Sequence, residues 1–221
     1  MRSILSFLLL VGCVLVSSTP VASRRVRSNG YDPVGPDTSC ITFYTDVTPV
    51  DDGAILIDVK RSLSPFGADR LYALIQDQFF SANGKPAAFF RVVPNFVVQF
   101  GISGEPNENL KWNGTIPDDP VMTSNTVGTL TFATAGPNTR TTQLFINYAN
   151  NTFLDSQGFS PFGTVVKGMA NAVNIFNPTP GSSDGVDQDA YAANGAEWIE
   201  KTYPGINSIT KATAVSGKCQ V

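Results

Sequence analysis

Arg91 stands in the run Phe89-Phe90-Arg91-Val92-Val93-Pro94-Asn95-Phe96-Val97-Val98-Gln99-Phe100-Gly101 as a single cation among residues that are almost all apolar. A charge set into apolar surface is costly unless an ion-pair partner or a ligand satisfies it, so this arginine is either paired or faces a wet cleft. The run reads as strand, turn, strand about Pro94-Asn95. At period two, Phe89, Arg91 and Val93 share one face, and Val97, Gln99 and Gly101 share one beyond the turn. A guanidinium, an amide and several apolar side chains therefore have the spacing to converge on one concave surface. Such a surface can stabilise a shift of charge in a bound molecule while supplying no nucleophile, general base or metal. By itself the segment leaves open an arginine that snorkels from a strand edge into solvent.

Composition removes most other chemistries. The 221-residue chain contains no histidine, so Ser-His-Asp and Cys-His nucleophilic sites and His-based metal sites are impossible within it. Beyond an N-terminal leader only Cys40 and Cys219 remain, too few for an all-cysteine zinc site, and no phosphate-cradling Gly-x-x-x-x-Gly-Lys occurs. No cofactor or metal is expected. The pairs Asp51-Asp52 and Asp118-Asp119 keep a carboxylate-pair hydrolase formally open, but their proline-rich contexts make them read as solvated turn residues. A net charge of −3 offers no basic excess for nucleic acid.

A second segment, residues 128–147, also reads as strand, turn, strand. Gly136-Pro137-Asn138 is turn chemistry, and Gln143, Phe145 and Asn147 fall on one face beyond it. The two segments supply Phe89-x-Arg91-x-x-Pro94-x-Phe96-x-x-Gln99 and Ala133-x-Ala135-Gly136-Pro137-Asn138-x-x-x-x-Gln143-x-Phe145-Ile146. Further along, Leu154-Asp155 precedes Gly158-Phe159-Ser160-Pro161-Phe162-Gly163. In this order the motifs resemble the cyclophilin family of peptidyl-prolyl cis-trans isomerases, from about Cys40 to the C-terminus. The Gly-Phe-x-Pro-Phe-Gly form is most similar to the bacterial-type branch.

The resemblance implies catalysis of X-Pro bond rotation, with Arg91 as the catalytic residue. It implies that Phe96, Val97, Phe145 and Leu154 hold the proline ring. Gln99 and Gln143, with the backbone at Ala133 and Thr134, would bind the peptide. Phe153 and Phe159 complete the rim, where the family often has Trp and His; Val97 and Thr134 stand where it often has Met and Asn. Phenylalanine at 153 lacks the indole N–H that commonly bonds cyclosporin, so binding of that inhibitor is expected to be weakened. The implied partners are proline-containing peptides or unfolded segments, the implied state a monomer. Two other readings stand beside the enzyme: a cyclophilin-like module that binds peptides with little turnover, and a structural β protein.

The elements that must position these residues are short and β-rich: nineteen glycines, fifteen prolines and runs of Val, Thr and Phe favour strands and turns. Opening strands are read at 41–44 and 55–59 and a closing strand at 206–215. A helix over 66–79, with Pro65 in its first turn, puts Leu71, Leu74, Ile75 and Phe79 inward. The second helix is placed at 165–176, and 197–201 adds a turn. The fold implied by the family is mainly β, an eight-stranded antiparallel barrel capped by two helices.

Residues 1–23 read as a secretory signal peptide, with Arg2, the apolar stretch from Ile4 to Val16 and Val21-Ala22-Ser23 as cleavage site. That stretch is too short to span a bilayer, so no membrane association is expected after its removal. Residues 24–39 read as a mobile lead-in, in which Arg24-Arg25-Val26-Arg27 is equally a basic processing site or a solvated charge cluster. Residues 40–221 form one domain. Secretion is expected. In a cyclophilin-like topology the first and last strands are antiparallel neighbours, which implies a Cys40–Cys219 disulfide; two buried free thiols are the alternative. Asn113-Gly114-Thr115 and Asn150-Asn151-Thr152 are glycosylation sequons, at Asn113 and Asn150.

Overall fold

The computed structural model describes residues 32–48 and 52–221; the proposed leader and the Arg24-Arg27 cluster lie outside them. β1 (Thr38–Thr45) and β2 (Ala54–Lys60) pair antiparallel, with Ile41 opposite Ile57 and Phe43 opposite Ile55. Alternation along β1 buries Ser39, Ile41 and Phe43 while Tyr44 is exposed, the pattern of a strand with one face in a core. Three strands follow: β3 (Ala87–Ala88), β4 (Arg91–Val93) and β5 (Val97–Phe100). Beyond them come β6 (Thr129–Phe132), β7 (Leu144–Asn147), β8 (Gly163–Lys167) and β9 (Ser208–Ser216). All pairings are antiparallel, in the order β3-β9-β1-β2-β8-β6-β7-β5-β4.

The two terminal strands of this sheet, β3 and β4, are consecutive in the chain. Only Phe89 and Phe90 separate them, so the sheet curls until its two ends meet in one covalent segment. Counting 87–93 as one interrupted strand reconciles the nine strands with the expected eight. The interruption has a packing reason: Phe89 enters the barrel core, whereas Phe90 packs on the other side with Ile102, Tyr191 and Ile199. Inside the barrel, Phe43 meets Phe80 and Phe100 edge-on, with centroids 5.2 and 5.3 Å apart.

α1 (Pro65–Gln76) begins at proline as expected and turns Leu71, Leu74 and Ile75 into the core. It ends earlier than predicted, because Gln78 adopts φ 58° and Phe79 is carried by a separate 3₁₀ turn. The N-terminus of α1 is held from a distance by Asp119. Its carboxylate accepts from the N–H groups of Phe66 and Gly67 (3.2 and 3.0 Å) and from Ser64 Oγ (2.6 Å), and it pairs with Arg140 Nη2 at 3.0 Å. Asp119 is thus a buried anion placed where orphan helix donors and a cation converge, not a solvated turn residue. Its neighbour Asp118 is exposed, as expected.

The second helix lies elsewhere than predicted. Residues 163–167 form β8, and only Met169–Val173 is helical, as α3, since α2 (Pro106–Lys111) precedes it. Gly168 separates strand from helix at φ 84°, with Ala54 O 2.0 Å from where a Cβ would sit, so only glycine fits that crossing. The apolar residues of 165–176 have helical spacing, but Val165 pairs with Ile57 and Lys167 with Leu56, so the start of this stretch joins the sheet next to β2 instead. The longest helical segment is α4 (Gln188–Thr202), two helices broken at Gly195 (φ 73°), the first capped by Asp187 Oδ1, which accepts from Ala190 N at 2.9 Å. Among the described residues no helix is long and apolar enough to cross a membrane.

Cys40 and Cys219 form the disulfide, Cα atoms 4.7 Å apart. Cys40 faces Val215 across the ladder, so Cys219 lies beyond the strand end; the Cys219 N–H then donates to Asp58 Oδ1 of β2 (2.7 Å). Within the expected lead-in, the part from Asp32 onward is tied to α1: Asp32 pairs with Arg70 at 2.6 Å, and Gly35 N donates to Asp69 Oδ1 at 2.8 Å.

Candidate active site

Four consecutive strands, β4-β5-β7-β6, bring the two sequence segments together. Arg91 stands opposite Gln99, Gln99 opposite Phe145, and Phe145 opposite Thr131, so one cross-strand row crosses both motifs. On the same strands Val98, Phe100, Leu144 and Ile146 point into the barrel. The alternate residues Val97 and Phe145 form a separate outer cluster with Leu154, and Phe96, Ala133 and Phe159 pack against it. Period-two alternation therefore makes one strand pair serve the core on one side and a pocket on the other.

That pocket has a volume of about 220 Å³. It is small beside the roughly 300–1,000 Å³ of drug-sized sites, as suits a single ring. Its apolar wall comes from Phe96, Val97, Phe145, Leu154 and Phe159, its polar side from Arg91, Gln99, Ala133 and Thr134. Two predicted substrate-binding residues lie outside this lining. Phe153 is 55% exposed and stacks on Phe96 with centroids 6.0 Å apart, at the lip. Gln143 stands behind Gln99, bonded to it.

Arg91 is held by hydrogen bonds and makes no ion pair among the described residues. Its Nε donates to the Ser183 carbonyl (2.6 Å), its Nη1 donates to Gln99 Oε1 (2.9 Å), and its guanidinium lies 5.9 Å from the centre of the Phe96 ring. Desolvation pushes its pKa below the ordinary value, with Asp184 acting the other way. Nη2 makes no hydrogen bond among the described residues, which leaves a fixed, half-buried donor at the pocket.

The arginine also dictates the amides. A guanidinium has donors only, so Gln99 must turn Oε1 to it; Gln99 Nε2 then donates to Gln143 Oε1 at 2.7 Å. Gln143 is left presenting its own N–H donors, which have no partner among the described residues and suit a peptide carbonyl. Thr134 Oγ1 turns into its own loop, bonding the Gly136 carbonyl and Thr139 Oγ1, so only its backbone can serve a ligand. The Ala133 N–H is taken by the Gln143 carbonyl at 2.9 Å.

Sequence reasoning missed the Ser183 carbonyl, which no side-chain pattern announces. It also missed Gly185, where a Cβ would approach Arg91 Cβ to 2.7 Å at φ 78°. A positive-φ glycine packed against Arg91 has no signal in a single sequence.

The family model of cyclophilin type peptidyl-prolyl cis-trans isomerases (Cyclophilin type peptidyl-prolyl cis-trans isomerase/CLD) matches residues 43–192. The chain belongs to the cyclophilin family. A peptidyl-prolyl cis-trans isomerase of Acinetobacter baylyi is 32% identical over 151 residues, 62% of this chain and 73% of that protein. The Schizosaccharomyces pombe isomerase ppi1 is 31% identical over 122 residues, 53% of this chain and 76% of its own. A crystal structure of a Cryptosporidium parvum cyclophilin type isomerase matches with TM-score 0.59 at 18% identity, covering 81% of this chain and 99% of that one. A second structure, of the same protein in the presence of the dipeptide Ala-Pro, gives TM-score 0.56 at 19% identity, covering 80% and 99%. At these identities the two structures establish the cyclophilin-like fold alone. The match ends at residue 192, yet β9 beyond it is the strand between β3 and β1, so the barrel needs the C-terminal residues as well.

Proposed function

We propose that this cyclophilin is an active prolyl isomerase, of the bacterial-type branch and secreted, that accelerates X-Pro rotation in proteins of the secretory pathway and so assists their folding. The observation that carries the reading is the Arg91 guanidinium, fixed by Gln99 and Ser183 with Nη2 uncommitted beside an apolar pocket. An X-Pro bond turns against a barrier near 20 kcal/mol because the nitrogen shares its lone pair with the carbonyl. With the proline ring on Val97, Phe145 and Leu154, a guanidinium directed at the prolyl nitrogen favours the twisted state in which that lone pair is localised. Gln143 and the Thr134 backbone then hold the flanking peptide while one side of the bond rotates. The Ala-Pro dipeptide named with the Cryptosporidium structure is a minimal ligand of this kind.

The secreted setting is supported by the leader sequence, by the Cys40–Cys219 disulfide and by the exposure of both sequon asparagines, Asn113 and Asn150. Exchange NMR on an Ala-Pro peptide tests the activity: the protein is expected to speed cis-trans interconversion at substoichiometric amounts. Binding without acceleration would replace the enzyme by a peptide-binding module.

Phe153 bears on the inhibitor. Its exposed ring supplies apolar area at the lip but no donor, so a cyclosporin carbonyl that an indole would bond is left unpaired there. Phe153→Trp is expected to tighten cyclosporin about five- to 150-fold, from roughly 1–3 kcal/mol for the restored bond, and to change turnover much less. Titration of both proteins with the inhibitor checks this; equal affinities would assign the weakness to Phe159 or to the groove backbone.

A further inference from the structure

Behind the pocket lies a chain of buried amides that neither the motifs nor the proposed mechanism uses. Asn125 is fully buried, and its side chain makes every bond an amide can make. Nδ2 donates to Asp155 Oδ1 (2.8 Å) and to the Phe159 carbonyl (2.9 Å), while Oδ1 accepts from Thr131 Oγ1 (3.0 Å) and Asn147 Nδ2 (3.2 Å). The backbone joins in: Asn125 N donates to Asp155 Oδ1 at 2.9 Å, and its carbonyl accepts from Asn151 N at 2.7 Å. The chain continues from Asn147 Oδ1, which accepts from Asn151 Nδ2 (2.7 Å), and Asn151 Nδ2 also reaches the Phe96 carbonyl (2.9 Å).

The ends of this chain are informative. Phe159 and Phe96 are both pocket-lining aromatics outside the strands; Phe96 is held to β4 and β7 by backbone bonds (Phe96 N to the Val93 carbonyl, 3.0 Å; Tyr148 N to the Phe96 carbonyl, 2.8 Å), whereas Phe159 has one backbone bond, from its N–H to the Leu154 carbonyl at 3.3 Å. Both carbonyls are also bonded to one connected network whose centre is anchored on β6 by Thr131 and on β7 by Asn147. Arg91 and Gln99 are outside it, held by each other and by Ser183.

We propose that Asn125 is a positioning residue for substrate recognition: through Phe159 on one branch and through Asn147, Asn151 and Phe96 on the other, it sets the width of the proline-ring pocket without entering the rotation step. This rests on the pocket being a prolyl site. Affinity for the proline ring depends on contact with both rings, and close contact is lost over fractions of an ångström. Rotation of the bound peptide depends on the arginine, whose hydrogen bonds to Ser183 and Gln99 lie outside the network; the network meets it only through the Phe96 ring, 5.9 Å away. A partly broken buried network is worse than an apolar one, so loss of a single member should be felt at both rings.

The test is Asn125→Asp, which keeps the shape and the acceptor but removes the donors to Phe159 and faces Asp155 with a second carboxylate. An Ala-Pro peptide is titrated by exchange NMR, which yields the dissociation constant and the bound-state interconversion rate separately. The expected result is a dissociation constant raised about tenfold, with the bound-state rate within twofold of the parent. Asn151→Ala, which cuts only the Phe96 branch, should weaken binding about three- to fivefold with the same split; it decides the matter should Asn125→Asp not fold. Unchanged affinity in a folded variant, or an equal loss of affinity and rate, would overturn the positioning role. If the parent protein binds the peptide without accelerating it, the isomerase reading fails alone, because the affinities still decide the role of Asn125. A parent that does not bind the peptide overturns both.

Discussion

Replacing Arg91 with alanine is expected to lower prolyl-peptide turnover about a hundredfold while peptide affinity changes only a few-fold. The ring is held by Val97, Phe145 and Leu154, which the substitution leaves in place. The lost interaction strengthens only as the prolyl nitrogen becomes pyramidal, so its removal falls on the transition state rather than the ground state. Removing one preorganised donor from a sheltered site typically costs about 10²–10³ in rate, and a hundredfold corresponds to roughly 2.7 kcal/mol. The variant also frees the Gln99 amide to turn over, and with it Gln143, so part of the loss reflects a groove whose donors no longer face the peptide. Arg91→Lys retains the charge but cannot reach Gln99 and Ser183 in the same fork, and an intermediate rate is expected. Exchange NMR and a protease-coupled assay on the three proteins measure this; equal turnover in the alanine variant would remove Arg91 from the mechanism and leave a binding module.

The second large effect concerns stability. Cys40 and Cys219 are 179 positions apart, and chain-entropy bookkeeping puts the constraint on the unfolded state at roughly 5 kcal/mol, an upper figure because unfolded chains retain structure. The paired Cys40→Ser, Cys219→Ser variant is expected to be about 2–5 kcal/mol less stable, a fall of roughly 5–15 °C in Tm for a domain of this size. The native ladder would survive, since β9 is held along β1 and the Cys219 N–H still reaches Asp58. Activity at low temperature should therefore be retained. Denaturant melts of oxidised, reduced and variant protein check the figure, and coincident curves would show that the bond constrains nothing the sheet does not already hold.

Both expectations use residues that stood out in the sequence, and the reasons differ. Arg91, Gln99 and Phe145 were legible because strand alternation assigns a face to every residue once one is placed, and antiparallel register then makes neighbours of the two motifs; Leu154, in a 3₁₀ turn, was matched by its place in the motif order. Phe153 was matched to the site by order alone and stands at its lip; Gln143 was placed on the face of Phe145 by alternation and stands one residue behind the pocket, because neither order nor face measures depth. The stretch 165–176 carried helical spacing but went to a strand and a single short helix, since local periodicity cannot compete with an unfilled place beside β2.

What the sequence by itself determined is the kind of chemistry and the strands that display it: no histidine, one arginine among apolar residues, amides at period two, a proline to start α1. Only the tertiary structure decided how that arginine is held, by a carbonyl at Ser183 that any residue type would offer, and how the rings around it are spaced, by Asn125 and its neighbours. It also turned Asp119 from a surface residue into a buried counterion of Arg140 and α1. The physical reason is common to all three. Side-chain alternation is a local property fixed by backbone geometry, whereas a hydrogen bond between distant segments depends on which loop the closed barrel brings within 3 Å, and polar residues carry no mark of the partner they will meet.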